Sequence, residues 1–233
     1  MQLHTKTLVT AIVTVGLFTS LAQAQHADDL QPFYDAGQIK VMPGAEGFLY
    51  EGHFPTSGLF ARFTSDPGFD SESSFGLGLL PNDILSYNVV DNLFFWNGAT
   101  MDFVDPGTTT ITIDNTIGPN TIIGSATGVI APGGIIGQAN SSGDFHSHVD
   151  YTLSSDADFG AYGLRVELET DRTGIENSDA LWLVFNYGLP ELEFEDSAVP
   201  AFAAVPEPSS IALGVLGCAL LGLRTMFRRK NVG

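Results

Sequence analysis

The sequence has very little cysteine and few basic residues. Cys218 is the single cysteine among 233 residues, and Lys and Arg together number 9 against 27 Asp and Glu. One cysteine excludes an intramolecular disulfide and a multi-cysteine zinc or iron–sulfur site. The net charge of −18 argues against nucleic acid as a partner, because a phosphate backbone is bound by a basic stripe. The length suits one ordinary domain with additional segments.

The few basic residues lie mainly at the two ends of the chain. Between residues 25 and 204 there are 26 acidic side chains against 4 basic ones, a net charge of −22. Lys6 lies near the start, and a C-terminal basic cluster consists of Arg224, Arg228, Arg229 and Lys230. This segregation predicts targeting segments at both termini and one solvated acidic domain between them.

Residues 1–24 have the three parts of a secretory signal peptide. Lys6 provides the positive start, residues 8–18 form a short apolar run, and Ala22-Gln23-Ala24 is an A-x-A cleavage site. We therefore predict removal by signal peptidase, so that the exported chain begins near Gln25. An uncleaved membrane anchor is the alternative, but the apolar run is short and interrupted by threonine.

The C-terminus combines a proline motif, an apolar run and the basic cluster. Pro206, Glu207 and Pro208 precede residues 209–227, which as a helix are about 28 Å long and match the hydrocarbon core of a membrane. We predict a single transmembrane helix with an Arg-rich cytoplasmic tail over residues 209–233. The basic cluster places that tail on the cytoplasmic side.

The order of these three parts closely resembles the PEP-CTERM sorting signal of diderm bacteria. The resemblance implies that Pro206, Glu207 and Pro208 are recognised by an exosortase, a transpeptidase-like membrane enzyme. It also implies an inner-membrane intermediate, cleavage near the motif, and delivery to the cell surface or extracellular space, often with exopolysaccharide. A plain single-pass anchor is the alternative, so the sequence leaves open whether the helix is retained.

Strand patterns dominate the region between the termini. Several segments alternate between apolar and polar residues or are apolar throughout, and Gly- and Pro-containing turns separate them. The candidate strands are residues 59–64, 109–114, 144–153, 162–169 and 180–187. We predict an all-β ectodomain over residues 25–195, an antiparallel β-sandwich of jelly-roll or immunoglobulin-like form. Residues 196–208 are predicted to be a Pro-containing linker.

Signatures of catalysis are missing from the ectodomain. It has no G-x-S-x-G elbow, H-E-x-x-H, P-loop or G-x-G-x-x-G, and its lack of cysteine excludes a thiol enzyme. We therefore expect a non-enzymatic cell-surface or extracellular-matrix protein. A carbohydrate-active hydrolase remains an alternative, because the many acidic residues offer carboxylate pairs among which the sequence does not choose.

The most informative local feature is a His-x-His pair on a predicted strand. His146 and His148 are two residues apart, so both imidazoles point to the same face, and Asp150 extends that face. His26 and His53 are the other histidines of the ectodomain. If the fold gathers these residues, they predict a zinc or copper site. The alternative is a solvent-facing pair on a half-buried strand.

A second resemblance concerns the ectodomain. The His-x-His strand and the stretch Gly160–Leu164 resemble a zinc-regulated group of exported PEP-CTERM proteins. This resemblance implies metal binding and carries no individual site residues across.

Acidic loops and aromatic clusters each allow two interpretations. Residues 66–72, 156–158 and 171–179 contain carboxylates on turns, which suit calcium, but a solvated acidic surface is the simpler interpretation. Residues 93–97 and Trp182 resemble a sugar-stacking platform, but strand aromatics more often belong to the core. We expect the core.

Overall fold

The computed structural model describes residues 29–44, 47–76, 78–98, 103–115 and 117–205. The predicted signal peptide, His26, the sorting motif and the apolar C-terminal run lie outside the described residues. Within the described ranges, no helix is long and apolar enough to cross a membrane.

The described chain consists mostly of β-strands, which confirms the β-rich prediction. The strands are β1 (Pro32–Asp35), β2 (Gln38–Val41), β3 (Leu49–His53), β4 (Phe63–Thr64), β5 (Phe69–Ser71), β6 (Ile84–Val89), β7 (Phe94–Trp96), β8 (Thr110–Asp114), β9 (Thr121–Gly124), β10 (Gly128–Ile130), β11 (Gly133–Gln138), β12 (Phe145–Ser147), β13 (Asp150–Leu153), β14 (Gly160–Thr170) and β15 (Leu181–Tyr187). A short 3-10 turn, Ser73–Phe75, follows β5.

Two larger sheets and two small ones organise these strands. A five-stranded sheet has the order β10-β9-β8-β13-β4, and a six-stranded sheet has the order β11-β6-β14-β15-β3, with β7 also pairing with β14. The small sheets are β1-β2 and β12-β5. In all four sheets the paired strands are antiparallel, except for β15 and β3 of the six-stranded sheet, which run parallel. The prediction of purely antiparallel pairing is wrong for that pair, because the long connection between β3 and β15 permits a parallel return.

One hydrophobic core contains residues from both larger sheets. Tyr151 of β13 lies 4.9 Å from Phe185 of β15, measured between ring centroids. The hydroxyl of Tyr87 on β6 donates to Asn115 Oδ1, next to β8, at 2.7 Å. Both phenol rings are buried. The polar hydroxyl of Tyr87 is satisfied by this bond, so the ring can be buried at the core without leaving a donor unpaired.

A second apolar cluster covers the opposite face of the six-stranded sheet. In β15, the odd-numbered residues belong to the main core, whereas Trp182 and Val184 contact this second cluster. Trp96 also belongs to it, and both tryptophans are buried. The core interpretation of these tryptophans is therefore confirmed.

The covering element of the second cluster is a helical segment that the sequence pattern missed. It consists of α1 (Glu191–Glu193), a π-helical turn (Phe194–Ala198) and α2 (Val199–Ala203). Phe194 and Phe202 are fully buried within it. The linker prediction is wrong for residues 196–205, because these apolar side chains are needed to cover the sheet face. Residues 206–208 of the predicted linker lie outside the described residues.

The predicted strand 144–153 divides between two sheets. β12 pairs with β5 in a small sheet, and β13 pairs with β8 and β4 in the five-stranded sheet. Residues 148 and 149 lie between the two strands. The predicted alternation nevertheless holds, since Phe145, Val149 and Tyr151 are buried and His146 is exposed. The change of sheet places His148 at the junction.

Candidate metal centre

Asp29, His146 and His148 form the one group of potential metal ligands found among the described residues. One ligand atom from each side chain lies within 4.8 Å of the ligand atoms of the other two. The imidazole rings of His146 and His148 are 5.1 Å apart between centroids, at an interplanar angle of 71°. This spacing allows three donor atoms to surround a single ion.

Strand β5 brings these residues together from distant parts of the chain. The amide of Leu30 donates to the Gly68 carbonyl at 2.9 Å, and the amide of Asp70 donates to the Leu30 carbonyl at 2.8 Å. β12 lies on the other edge of β5, with His146 opposite Asp70. Asp29 and the His-x-His segment therefore approach each other across the start of β5.

Gly68 lies between the carboxylate of Asp29 and the ring of His148. A Cβ atom at this position would lie 2.8 Å from Asp29 Oδ1 and closer still to the His148 ring. Such a contact is shorter than carbon atoms tolerate, so the approach of these two side chains requires glycine here.

Asp29 has a buried carboxylate with one unpaired oxygen. Its residue is 7% exposed, and its Oδ1 accepts a hydrogen bond from the Gly68 amide at 2.9 Å. Its Oδ2 is buried and has no hydrogen-bond partner among the described residues. A buried charged oxygen without a partner is costly, because the protein does not replace the lost hydration. A cation held against Oδ2 would compensate that cost.

The hydrogen bond of His148 favours the tautomer that binds metal. Its Nδ1 lies 2.8 Å from the carbonyl oxygen of Ser65, which can only accept, so Nδ1 carries the proton. The lone pair then resides on Nε2. A ligating histidine commonly donates its other ring N–H to a carbonyl or carboxylate in this manner.

Two further carboxylates flank the histidine rings. Asp70 Oδ1 is 3.6 Å from His146 Nδ1, and Asp66 Oδ1 is 3.6 Å from His148 Nδ1. Together with Asp29 they place three negative charges around two imidazoles. Carboxylates this close to the two rings add negative charge at the centre, which favours a bound cation.

The basic side chains of the described chain make their contacts elsewhere. The ion pairs of these residues are Lys40 with Asp179, Arg165 with Asp91, and Arg172 with Asp83. Arg62 donates to the hydroxyl of Tyr187 at 3.4 Å. These four side chains therefore have partners away from the centre, where the three carboxylates give a negative field that attracts cations.

The predicted site residues are only partly brought together. His146 and His148 lie in the group as expected, whereas Asp150 begins β13 opposite Asp114 and is not a member. His53 ends β3 and packs edge-on against Phe194, with centroids 5.4 Å apart, and its Nδ1 is 3.9 Å from Glu191 Oε2. A four-histidine site is therefore not formed by the described residues.

Asp29 is the ligand candidate that sequence reasoning missed. Asp29 is separated from His146 by more than half of the chain. Only the pairing of Leu30 with β5 places Asp29 next to the two histidines. The buried oxygen of Asp29 has no local sequence signal. The D-P-G turn at Asp66–Gly68 is the one hint, because its glycine marks a close approach.

In two of the three acidic loops considered for calcium, residues 156–158 and 171–179, carboxylates have protein partners. Asp156 accepts from Ser154 at 2.5 Å and from Thr108 at 2.6 Å. These bonds lower the pKa of the Asp156 carboxyl. Asp171 accepts from the Ile84 amide at 3.0 Å. Because each of these carboxylates accepts hydrogen bonds from its own turn or a neighbouring strand, we interpret the two loops as solvated surface whose carboxylates stabilise turns.

A polar cleft of about 930 Å³ adjoins the metal centre. His146 and Asp70 line one part of it, and Glu72 and Asp144 line another. His146 thus belongs both to the ligand group and to the cleft wall, and its side chain is 56% exposed. An ion bound by His146 would be reachable from the cleft.

No family model, no curated protein and no solved structure matches this chain.

Proposed function

We propose that this protein binds a divalent transition metal through Asp29, His146 and His148. The observation that carries the proposal is the buried, unpaired Oδ2 of Asp29 beside two imidazoles, one ligand atom of each lying within 4.8 Å of the others. Two imidazoles and one carboxylate form a donor set that suits zinc. Copper also fits imidazole donors, whereas calcium prefers six to eight oxygen ligands.

The test is metal content and thermal stability of the purified chain. We expect about one zinc per chain after gentle purification, and zinc at 100 times its dissociation constant should stabilise the fold by about 2.7 kcal/mol. Asp29→Asn and His146→Gln should abolish both effects. Elemental analysis and thermal unfolding measure them, with copper titrated in parallel to identify the preferred metal.

The matched controls for this test are His53→Gln and Asp150→Asn. His53 also lies within ion-pair distance of a carboxylate but does not belong to the ligand group. Both controls should retain zinc and its stabilising effect. Absence of stoichiometric metal, together with an unchanged melting temperature on adding zinc or copper, would overturn the proposal.

We further propose that this metal-binding domain is exported and acts, without catalysis, at the cell surface or in the extracellular matrix. The support is the order of segments in the sequence: a signal peptide over residues 1–24 and a PEP-CTERM-like tail. An exosortase and signal peptidase would process it, with a membrane-inserted intermediate. The acidic surface suits solubility outside the cell.

We also propose a sandwich arrangement for the two larger sheets. The supporting contacts are the ring pair Tyr151–Phe185, which joins the two sheets, and the hydrogen bond from Tyr87 on β6 to Asn115, the residue after β8. Facing sheets with a shared core are the defining feature of both the jelly-roll and the immunoglobulin-like forms.

A further inference from the structure

We propose that the polar cleft beside the metal centre binds a neutral oligosaccharide, one oxygen of which takes an open position on the metal. This inference rests on the proposed metal site, since His146 belongs to both. The cleft contains about 930 Å³, which lies within the range of about 300–1,000 Å³ typical of ligand sites. That volume suits a few sugar units.

The chemistry of the cleft wall selects a hydroxyl-rich ligand. Carboxylates come from Asp70, Glu72 and Asp144, and amides come from Gln138 and Asn140. Serine hydroxyls complete the wall. Carboxylates accept from sugar hydroxyls, and amides and serines both donate and accept. Among the described lining residues the one aromatic side chain, Phe145, is 4% exposed and belongs to the core, so it presents no open ring face to an apolar ligand.

The charge of the wall selects a neutral ligand over an anionic one. Three carboxylates line the cleft, and no Lys or Arg is among its described lining residues. Anionic polysaccharide would meet like charges at this wall, which disfavours binding.

The wall is held in place before any ligand arrives. Asp144 Oδ1 accepts from the Ser73 hydroxyl at 2.5 Å and from the Ser73 amide at 3.0 Å. Asn140 Oδ1 accepts from the amides of Ser142 at 2.8 Å and Asp144 at 3.0 Å. A fixed wall reduces the entropy lost on binding.

The metal would contribute one contact at the His146 end of the cleft. Asp29, His146 and His148 supply three protein donors, and a zinc ion with three protein ligands keeps a position for an exogenous oxygen. Since the His146 side chain lines the cleft, an ion held by that side chain would lie at this end of the cleft, where a sugar oxygen could approach it. Zinc removal should therefore weaken sugar binding.

The test uses the full-length chain in detergent, loaded with zinc, on an array of neutral glycans, with calorimetry for each one that binds. We expect at least one neutral tetrasaccharide to bind, and tetragalacturonate to bind at least about tenfold more weakly. Chelating the zinc should weaken neutral binding at least about threefold. Glu72→Ala should weaken it about fivefold, whereas Glu176→Ala, at an exposed glutamate outside the cleft, should not change it.

Zinc binding is measured separately, so that the two proposals can fail independently. If zinc binds stoichiometrically and no neutral glycan on the array binds, the cleft inference is overturned and the metal site stands. Equal glycan binding with and without zinc overturns the metal contact. Unchanged binding by Glu72→Ala, or preference for tetragalacturonate, overturns the assignment of the cleft.

Discussion

At the scale of single residues, the candidate centre depends on positions with very different sequence signals. His146 and His148 are recognisable from their spacing alone, because residues two apart on a strand share a face. Asp29 and Gly68 act through contacts across β5: the amide of Gly68 donates to Asp29, and its missing side chain leaves room for the ring of His148. The roles of Asp29 and Gly68 follow from long-range strand pairing, and no local sequence pattern indicates them.

Gly68→Ala tests this close approach. The added methyl would displace the Asp29 carboxylate or the His148 ring, so zinc affinity should fall by about 10–100-fold, as for other residues that support metal ligands. Calorimetric zinc titration measures the effect. Gly163→Ala is the matched control, since its methyl would lie 2.6 Å from Phe202 Cδ1 in the second apolar cluster. The control should lose thermal stability and keep its zinc affinity, and normal zinc binding by Gly68→Ala would contradict the geometry.

At the scale of elements, the sequence predicts strands well where hydrophobic period and burial agree. β8, β14 and β15 occur where alternation or a continuous apolar run predicted them. Residues 59–62 form turns instead of strand, and Arg62 has a positive φ of 61°, which ends regular pairing before β4. The break between β12 and β13 is invisible in the alternation, because burial continues while the hydrogen-bonding partner changes.

The helical segment after β15 was missed for a physical reason. Pro190 and Pro200 suggest an extended linker, yet Pro190 precedes α1 and Pro200 lies in the first turn of α2, where proline is tolerated. Only the presence of an uncovered sheet face reveals the use of its apolar side chains. The face carries Trp182, whose ring is 5.3 Å from that of Phe202.

Phe202→Ala tests the packing of this helical segment. The side chain is fully buried, so the substitution should lower the free energy of unfolding by about 3–5 kcal/mol. For a domain of this size that corresponds to a melting temperature roughly 10 °C lower. Leu192→Ala is the control, because Leu192 is 76% exposed and its loss should change little. Equal effects of the two substitutions on thermal unfolding would contradict a packed segment.

At the scale of the whole molecule, charge divides the chain into an acidic middle and two basic ends. The complete sequence carries −18, whereas residues 25–204 carry −22. Within the acidic middle, Lys40, Arg165 and Arg172 pair with acids away from the candidate metal centre. The surplus of acids is thus available to attract cations toward Asp29 and to repel anionic polymers from the cleft. Processing at both ends would increase that surplus.

The processing prediction can be tested on the protein in a diderm bacterium that has an exosortase. We expect the surface product to lack residues 1–24 and the apolar C-terminal run, because the sequence patterns of both ends predict cleavage there. Intact-mass spectrometry of the surface fraction measures both cuts.

Combined replacement of Pro206, Glu207 and Pro208 by alanine should keep the C-terminal run attached and the protein in the inner membrane. Replacement of the adjacent Ser209 and Ser210 by alanine is the control and should leave processing intact. Recovery of a normally cut surface product from the triple variant would show that the proline motif is not the sorting signal.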